Sequence, residues 1–583
     1  TQFMREFPDR MRVLTVGDAL TSGGAWNRQL HFLGARWGSN FSLQPSFVPF
    51  ALPGLQGQAA EPSTLDLYVN NVRTVSRPVN AGPFTIDNIP TITSQGNIQM
   101  VLTDALGRQQ VITTSYIATP QLLRKGVHDF GYEAGVLRWG IASPADNYHT
   151  GFAAGSHRFG LSDRFTLGME GELAGVSQAM GVSGTWGLLP LGLLSTGAAV
   201  SHSNHGAGGL LHAELAHREP KLGLGGGVQF ATRPFRQLGL GEAEGTPRLQ
   251  AQAQVSYAFA SSITAGLAYV VRQNYWTPLT PNTAFRALSG SLSVKVGRLG
   301  YLSWTVNYSP TSTPRTTGFA VFTIPLGQRR STSLSGSHGG ANPSATVSMM
   351  QSPPIGDGFG YRARISSDRA LAEGGFDYQN RVGAYTVEAG RDNAGTSFRL
   401  GEKSGYAWVQ NRLIPTRWLN DSFALVEVPD TKGVRVFANN QYITKTNGRG
   451  LAVVPMVAYD ANAVRLDDQG IPVEMNMDLE ERTVVPMTRT GVLVQFKAAR
   501  NRGVIIVLQL PDGKPVPAGA EARVEGADVA ATVGFDGEVY LEKIDSPAVL
   551  NVQGPEFACR ANVPAIAYER PLPRVGPVTC TTK

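Results

Sequence analysis

No apolar stretch in this sequence is long enough to cross a membrane as a helix. About 20 consecutive apolar residues are needed, and the best candidate, Trp186 to Val200, is interrupted by Pro190, Gly192, Ser195 and Gly197. Any membrane span must therefore be a closed barrel of strands, because a bilayer offers no water to satisfy unpaired backbone. Charge is scarce as well. Asp, Glu, Lys and Arg make up 16% of the 583 residues, against about 25% in a soluble globular protein. The net charge of +7 is mild for this length and no Lys/Arg block occurs, so nothing points to nucleic acid as a partner. Cysteine is almost absent. Cys559 and Cys580 read either as a disulfide formed in an oxidising compartment or as two free thiols. Their concentration in one small segment favours the disulfide. Neither an initiator methionine nor a signal peptide opens the chain, which reads as a fragment or a processed product.

What the sequence does hold is glycine, 67 residues of it, and alternation of period two. Phe165, Leu167, Met169 and Leu173 interleave with Thr166, Gly168, Glu170 and Glu172. Leu249, Ala251, Ala253, Val255, Tyr257 and Phe259 interleave with Gln250, Gln252, Gln254 and Ser256. The same pattern runs through Leu288 to Val296 and Phe359 to Ile365. Strict alternation predicts strands with one apolar and one polar face. Segments of about ten residues recur from about 126 to 414, roughly 18 or 19 in all, as a transmembrane barrel with a lipid face and a lumen requires. Turn-like clusters such as Ser143–Asn147 and Gly339–Pro343 separate them. Tyr275, Trp276 and Trp304 are expected near strand ends, in an interfacial girdle.

Two regions break the pattern. Residues 55–118 have a mixed composition and hairpin signals, with a strand Thr64–Val69 ending at Asn70-Asn71 and a turn at Asp104–Arg108. They predict a small β-sandwich set between barrel strands. From about 423 the polarity changes again, with core-like runs at Leu425–Val428, Val434–Phe437 and Leu451–Pro455. A break at Ala498–Gly503 opens a last unit through Val504–Leu508 to Cys580. The expected order is leading barrel strands in 1–54, a plug in 55–118, barrel in 119–422, and β-domains in 423–499 and 500–583.

These segments carry a resemblance. Val16-Gly17-Asp18 and Leu33 to Gly38 precede Ser63 to Asn71, then Ala81-Gly82-Pro83-Phe84-Thr85-Ile86, Thr103-Asp104-Ala105-Leu106-Gly107-Arg108 and Leu122 to Gly126. Downstream stand Gly433 to Phe437, Val484-Val485-Pro486, Asp512 to Ala520 and Gly534 to Leu541. In this order they resemble the outer-membrane fimbrial usher of the chaperone–usher pathway. The resemblance implies an all-β protein: a large transmembrane antiparallel barrel, an inserted β-sandwich plug and two C-terminal β-sandwich domains. Ushers carry an N-terminal periplasmic domain and further barrel strands ahead of the plug. Only a few strands fit before residue 55, so the chain reads as N-terminally truncated.

The function implied is that of an outer-membrane usher, which receives periplasmic chaperone–pilin complexes and secretes pilin subunits through a plug-gated pore. The partners implied are those complexes, the pilin subunits and outer-membrane lipid; a homodimer is one assembly the resemblance allows. Asp66, Tyr68, Asn70, Gly82, Pro83, Phe84, Asp104 and Gly107 are the candidate plug residues. Asp66, Tyr68 and Phe84 either gate the pore or build the plug's core.

The residues themselves suggest no enzyme, metal or cofactor. His202 and His205 have a metal-like spacing, with His212 and His217 nearby, but Ser201–Gly206 reads as a polar loop. Glu170 and Glu172 share a strand face and read as lumen charges rather than an acid/base pair. The glycines of Gly223–Gly227 lack the strand–helix setting of a phosphate loop and read as close packing at the lumen or strand bending. The runner-up function is a passive porin or plugged transporter.

Overall fold

The structure is a computed structural model. It describes residues 2–582 apart from 53–54, 60–62, 70–71, 80–81, 87–88, 90–94, 105–108, 140–146, 176, 220, 241–244, 276–283, 340–342, 430, 468–474, 478–480, 501–502, 527–529, 543, 545–546 and 568–571. Asn70, Gly107 and Trp276 therefore lie outside the described residues. Among the described residues there is no α-helix, only strands and four short 3-10 turns.

Among the described residues twenty-two strands form one antiparallel sheet. Its first three are Gln2–Phe7, Arg12–Leu20 and His31–Ser39. The third pairs with His128–Trp139, so everything between is inserted in the sheet. From there each strand pairs with the next, through Asn147–Ser162, Phe165–Ala174, Ser177–Leu188, Gly192–Ser203 and Gly206–Arg218 and onward. Among the described residues nineteen strands run from His128 to Arg417, in line with the count expected from alternation.

The two faces differ as the alternation requires. On Phe165–Ala174, Thr166, Glu170 and Glu172 are buried, while Met169 and Leu173 are 55% and 58% exposed on the opposite face. Met180, Val182, Val200 and Leu211 continue that exposed apolar face across three strands. So broad an apolar surface is a liability in water and the normal exterior of a membrane barrel. On the inner face, hydroxyl and amide side chains bond one another: Ser289 to Asn307 at 2.6 Å and Ser333 to Ser348 at 2.7 Å. Gly223 and Gly225 leave room for Ser256 and Gln254 of the neighbouring strand, which is the close-packing role read for these glycines.

The sequence gaps between paired strands differ at the two ends of the sheet. At one end they are short, as at 163–164, 189–191, 261–262, 297–299 and 326–329; at the other they are longer between Trp139 and Asn147, Ala231 and Leu249, Gln273 and Ala284, Tyr308 and Thr316, and His338 and Ser344, with the gaps after Ala174 and Ser203 as short exceptions.

The inserted region has two sheets, Leu55–Ala59 with Gly82–Ile86, and Val72–Val79, Ser63–Val69, Gln95–Asp104 and Gln109–Ile117 in that order. Leu65, Leu67, Ile98 and Met100 form its core at 0% exposure.

The contact pattern divides the chain into two compact units. One holds Thr1–Ser352, Tyr361–Gly375 and Glu388–Phe398, the other Pro353–Gly360, Phe376–Val387 and Arg399–Lys583. The second unit contains two separate cores. The first surrounds Val426, Val436, Val454, Val464 and Phe496, between a three-stranded and a four-stranded sheet. The second surrounds Ile506, Leu508, Leu550 and Ala561 in a seven-stranded sheet.

Three local expectations change. Trp304 lies in the middle of Gly300–Tyr308, its register partners Leu292 and Ala320, so it belongs to the apolar wall rather than a strand end. Ser201–Gly206 is not a loop: Ser201 to Ser203 and Gly206 belong to strands and only Asn204-His205 turns, because Ser203 and Gly206 pair directly. Ala498–Arg500, read as a break, forms a short strand paired with Met475–Met477.

Cys559 and Cys580 form a disulfide, with Ala561 opposite Cys580 on adjacent strands of the last core. A closed loop with a sequence separation of 21 stabilises by about 3 kcal/mol in the chain-entropy account. Replacing both cysteines by alanine should lower the unfolding free energy of this region by about that amount. Pulse proteolysis in urea measures it, and an unchanged midpoint would mean the bridge contributes nothing.

Candidate functional site

Two connections fold back over the inner face of the sheet instead of standing off its end. The segment 21–30 first closes on itself. Thr21 donates its amide to the Leu30 carbonyl at 2.9 Å and its side-chain oxygen accepts from the Leu30 amide at 2.9 Å. The Asn27 side chain accepts from the Gly24 amide. The segment 232–248 begins as an extension of its strand, with Thr232 and Gly209 exchanging bonds through the Thr232 amide and hydroxyl.

Three buried carboxylates of the wall hold these two straps. Glu133, Glu170 and Glu172 are 5%, 5% and 3% exposed. Glu133 accepts from the Ser22 amide at 2.7 Å and the Ser22 hydroxyl at 3.2 Å; Arg36, opposite it on the next strand, lies 4.0 Å away. Glu170 accepts from the Trp26 indole at 3.1 Å, the Ala25 amide at 3.3 Å and the wall's own Ser183 at 3.1 Å. Glu172 accepts from the Leu238 amide at 2.8 Å. Hydrogen bonds to a charged group contribute roughly 1.5–3 kcal/mol each, and a buried carboxylate stripped of them costs more than the bond alone.

Apolar contacts lock the two straps together. Trp26 meets Phe235 edge to face, ring centroids 6.2 Å apart, over Ala179, Ala199 and Leu210. Leu238 joins Phe32, Leu137 and Phe152, with the Phe32 and Phe152 rings perpendicular at 5.3 Å. Glycine makes room for both straps: a Cβ at Gly181 would strike the Trp26 indole, and one at Gly208 the Phe235 backbone.

The inserted region is tied at the opposite, short-turn end. Its two linkers run side by side, Phe50 bridging Leu123 and the Arg124 amide donating to the Pro49 carbonyl at 2.9 Å. The second linker is clipped to the wall, Leu123 to Thr166 at 2.8 Å and Lys125 to Asp163 at 2.9 Å.

The candidate plug residues take varied places. Asp66 and Tyr68 alternate with buried Leu65, Leu67 and Val69, so neither builds the core; Asp66 faces Arg73 at 3.8 Å. Gly82, Pro83 and Phe84 form the strand that pairs with Leu55–Ala59, and Asp104 ends the strand opposite Ser63. None of these is among the tethers described above. Glu133, Trp26 and Phe235 were not singled out from sequence. Their signals were a tryptophan inside the glycine-rich Gly23-Gly24-Ala25-Trp26 and an unusually long polar connection holding Phe235. Among the described residues no cluster of three or more His, Cys, Asp or Glu could hold a metal.

The chain matches the outer membrane usher protein family over residues 1–210 and 242–496, and the PapC C-terminal domain over 505–564. It is 24% identical over 579 residues to the outer membrane usher protein PefC of Salmonella typhimurium, covering 94% of this chain and 69% of that protein. It is 24% identical to the usher FaeD of Escherichia coli, covering 87% and 65%. Among solved structures, a cryo-EM structure of the E. coli P pilus tip assembly intermediate PapC-PapD-PapK-PapG superposes with a TM-score of 0.70 at 19% identity, covering 100% of this chain and 74% of that one. That likeness is one of fold.

If Glu170 holds the first strap, Glu170→Ala should free it. Cleavage by thermolysin within 21–30 is expected at least tenfold faster than in the parent, about 1.4 kcal/mol of local opening. Gly181→Ala should do the same by displacing Trp26. Equal cleavage rates would show that the strap does not depend on this carboxylate.

Proposed function

The chain belongs to the outer membrane usher protein family, and from that premise we propose that its barrel is a secretion pore for pilus subunits, closed at rest by the inserted domain. Its place is the outer membrane. In this reading residues 55–118 are the plug, 119–422 complete the wall after the leading strands of 1–54, and 423–499 and 500–583 are two periplasmic domains. Connections in such barrels are short on the periplasmic side and long outside, which puts the end with 163–164 and 189–191 in the periplasm. The plug linkers lie at that end, and the two straps reach inward from the other.

The observation that carries the reading is the double tether across the inner face. A sheet of 22 strands encloses a water-filled lumen rather than a core of side chains, and an open lumen of that width would leak solutes. The paired linkers fix the plug at one rim, and straps held by Glu133, Glu170 and Glu172 narrow the passage from the other. A plug on a two-chain stem can be displaced without breaking the wall.

One solved structure of similar fold is the pilus-tip assembly intermediate PapC-PapD-PapK-PapG. By that analogy the two C-terminal domains receive periplasmic chaperone–pilin complexes. An incoming subunit's strand then replaces the chaperone strand in its neighbour, a strand addition driven by backbone bonds and side-chain pockets. The chain's part is to position partners, with no covalent step.

Deletion of 58–117 tests the gate. In planar bilayers the parent should be mostly closed and the deletion should give a large, stable conductance. Equal conductance from both would reject the plug. Residues 423–583 should retain a purified chaperone–pilin complex on a column; loss of retention with a conducting deletion variant would separate the docking claim from the gating claim.

A further inference from the structure

The strand Gly395–Val409 leads out of the sheet into a hairpin. Its last residues, Ser404 to Val409, pair with Arg412–Arg417. This hairpin lies against the β-domain built around Val426 and Val454, all within the second compact unit. Ala407 and Ile414, partners in register, are 2% and 8% exposed. Ile414 clusters with Leu425 and Leu451 of the domain, and Val409, Val453 and Leu493 pack around them. Next to the turn, Arg412 reaches Glu427 at 2.6 Å, which also accepts from Gln495 at 2.9 Å. Apolar burial holds the two layers together but is non-directional. Direction comes from the far end of the hairpin.

There Arg417 joins two backbones. It donates from Nη1 to the Ile355 carbonyl at 2.9 Å and from Nη2 to the Ile443 carbonyl at 3.2 Å. Ile355 lies in the connection between the wall strands Ser344–Gln351 and Gly358–Ser366, and Ile443 in the strand Gln441–Lys445 of the domain. The same connection is gripped from both sides. Gln379, from the next wall strand, donates to the Pro354 and Gly356 carbonyls. Asp357 accepts from the Tyr442 hydroxyl at 3.4 Å and the Thr444 hydroxyl at 3.3 Å. A Cβ at Gly356 would strike the Tyr442 ring. Water commonly satisfies the carbonyls of a connection between strands. Here three successive carbonyls, 354 to 356, are taken by side chains, and Arg417 donates to wall and domain at once. A planar guanidinium fixes direction as well as distance, and the Asp357 carboxylate adds the attraction of an opposite charge.

We propose that Arg417 is a positioning residue, which holds this domain in one orientation against the 352–357 connection so that a chaperone–pilin complex docked on the domain is presented in one pose. The proposal rests on the docking role argued above. A domain free to turn would bind a complex as tightly. Strand exchange between two successive complexes would lose its alignment, because fixed geometry contributes to rate without contributing to affinity.

The test uses the full chain in detergent, with nitroxides at R381C in a wall turn and R449C in the domain, both exposed positions. Double electron–electron resonance should give one narrow distance distribution for the parent and a broad one for R417A, with near-UV circular dichroism showing that R417A is folded. A folded R417A as narrow as the parent overturns the proposal. The second readout is release of free chaperone from purified chaperone–pilin complexes added to the unlabelled chain. R417A should lower the saturated rate by roughly tenfold or more and leave the half-saturating concentration unchanged, and R417K, which keeps the charge and a donor, should recover part of the loss. An unchanged saturated rate in R417A overturns the positioning role. If R417A does not fold, Y442F/T444V, which removes the two hydroxyls facing Asp357, must show the broadening and the slower release. A parent that binds no complex rejects the docking reading itself, and the distance distributions still decide whether Arg417 fixes the domain.

Discussion

The requirement that every backbone amide and carbonyl in a bilayer find a partner within the protein sets the rest of this structure. Without an apolar helix, the chain meets it by laying strand against strand from Gln2 onward. The period of two then divides every strand between lipid and lumen. Met169 and Leu173 go outward because Glu170 and Glu172 go inward; a slip of one residue would reverse all of them. The polarity of the lumen is thus a consequence of the wall.

A carboxylate on the inner face can face open water or take donors from the protein. Gln250, Gln252 and Gln254 illustrate the neutral solution on an open stretch of wall. Glu133, Glu170 and Glu172 illustrate the other: once the straps cover them, burial demands donors from the protein, and the straps provide backbone amides, a serine hydroxyl and an indole. Charge at these positions therefore fixes where the straps sit. Glycines at 181 and 208 complete the seat by removing the side chains that would hold Trp26 and Phe235 away.

Much of the wall was legible in the sequence because alternation is local. Phe165 to Leu173 names its own faces without reference to any other strand. The inserted sandwich was legible from hairpin signals such as the turn after Val69, which joins two strands that do pair. The straps were not, because what holds them is distant: Ser22 meets Glu133 and Trp26 meets Glu170 across more than a hundred residues. Glu170 and Glu172 were recognisable as lumen charges, yet their partners were not. Trp304 shows the converse failure, an aromatic assigned to a strand end on residue type alone when its neighbours in register are apolar. Asp66 and Tyr68, read from sequence as either gate or core, alternate with the buried Leu65, Leu67 and Val69.

The donors on the straps also bear on reversibility. Except for Arg36, at 4.0 Å from Glu133, the groups bound to the three carboxylates are neutral. A buried ion pair broken by removing one partner costs about 3–5 kcal/mol because it leaves an uncompensated buried charge. A neutral donor leaves behind only itself, and a carboxylate that water can reach as the strap withdraws. Each bond is then worth about 1.5–3 kcal/mol. The four bonds from the first strap to Glu133 and Glu170 together contribute roughly 6–12 kcal/mol, the same order as the roughly 8–12 kcal/mol that a micromolar to nanomolar protein partner supplies on binding. Under the proposed secretion function, partner binding would be the energy source for moving a strap, and neutral donors on buried carboxylates keep that cost below that of separating ion pairs.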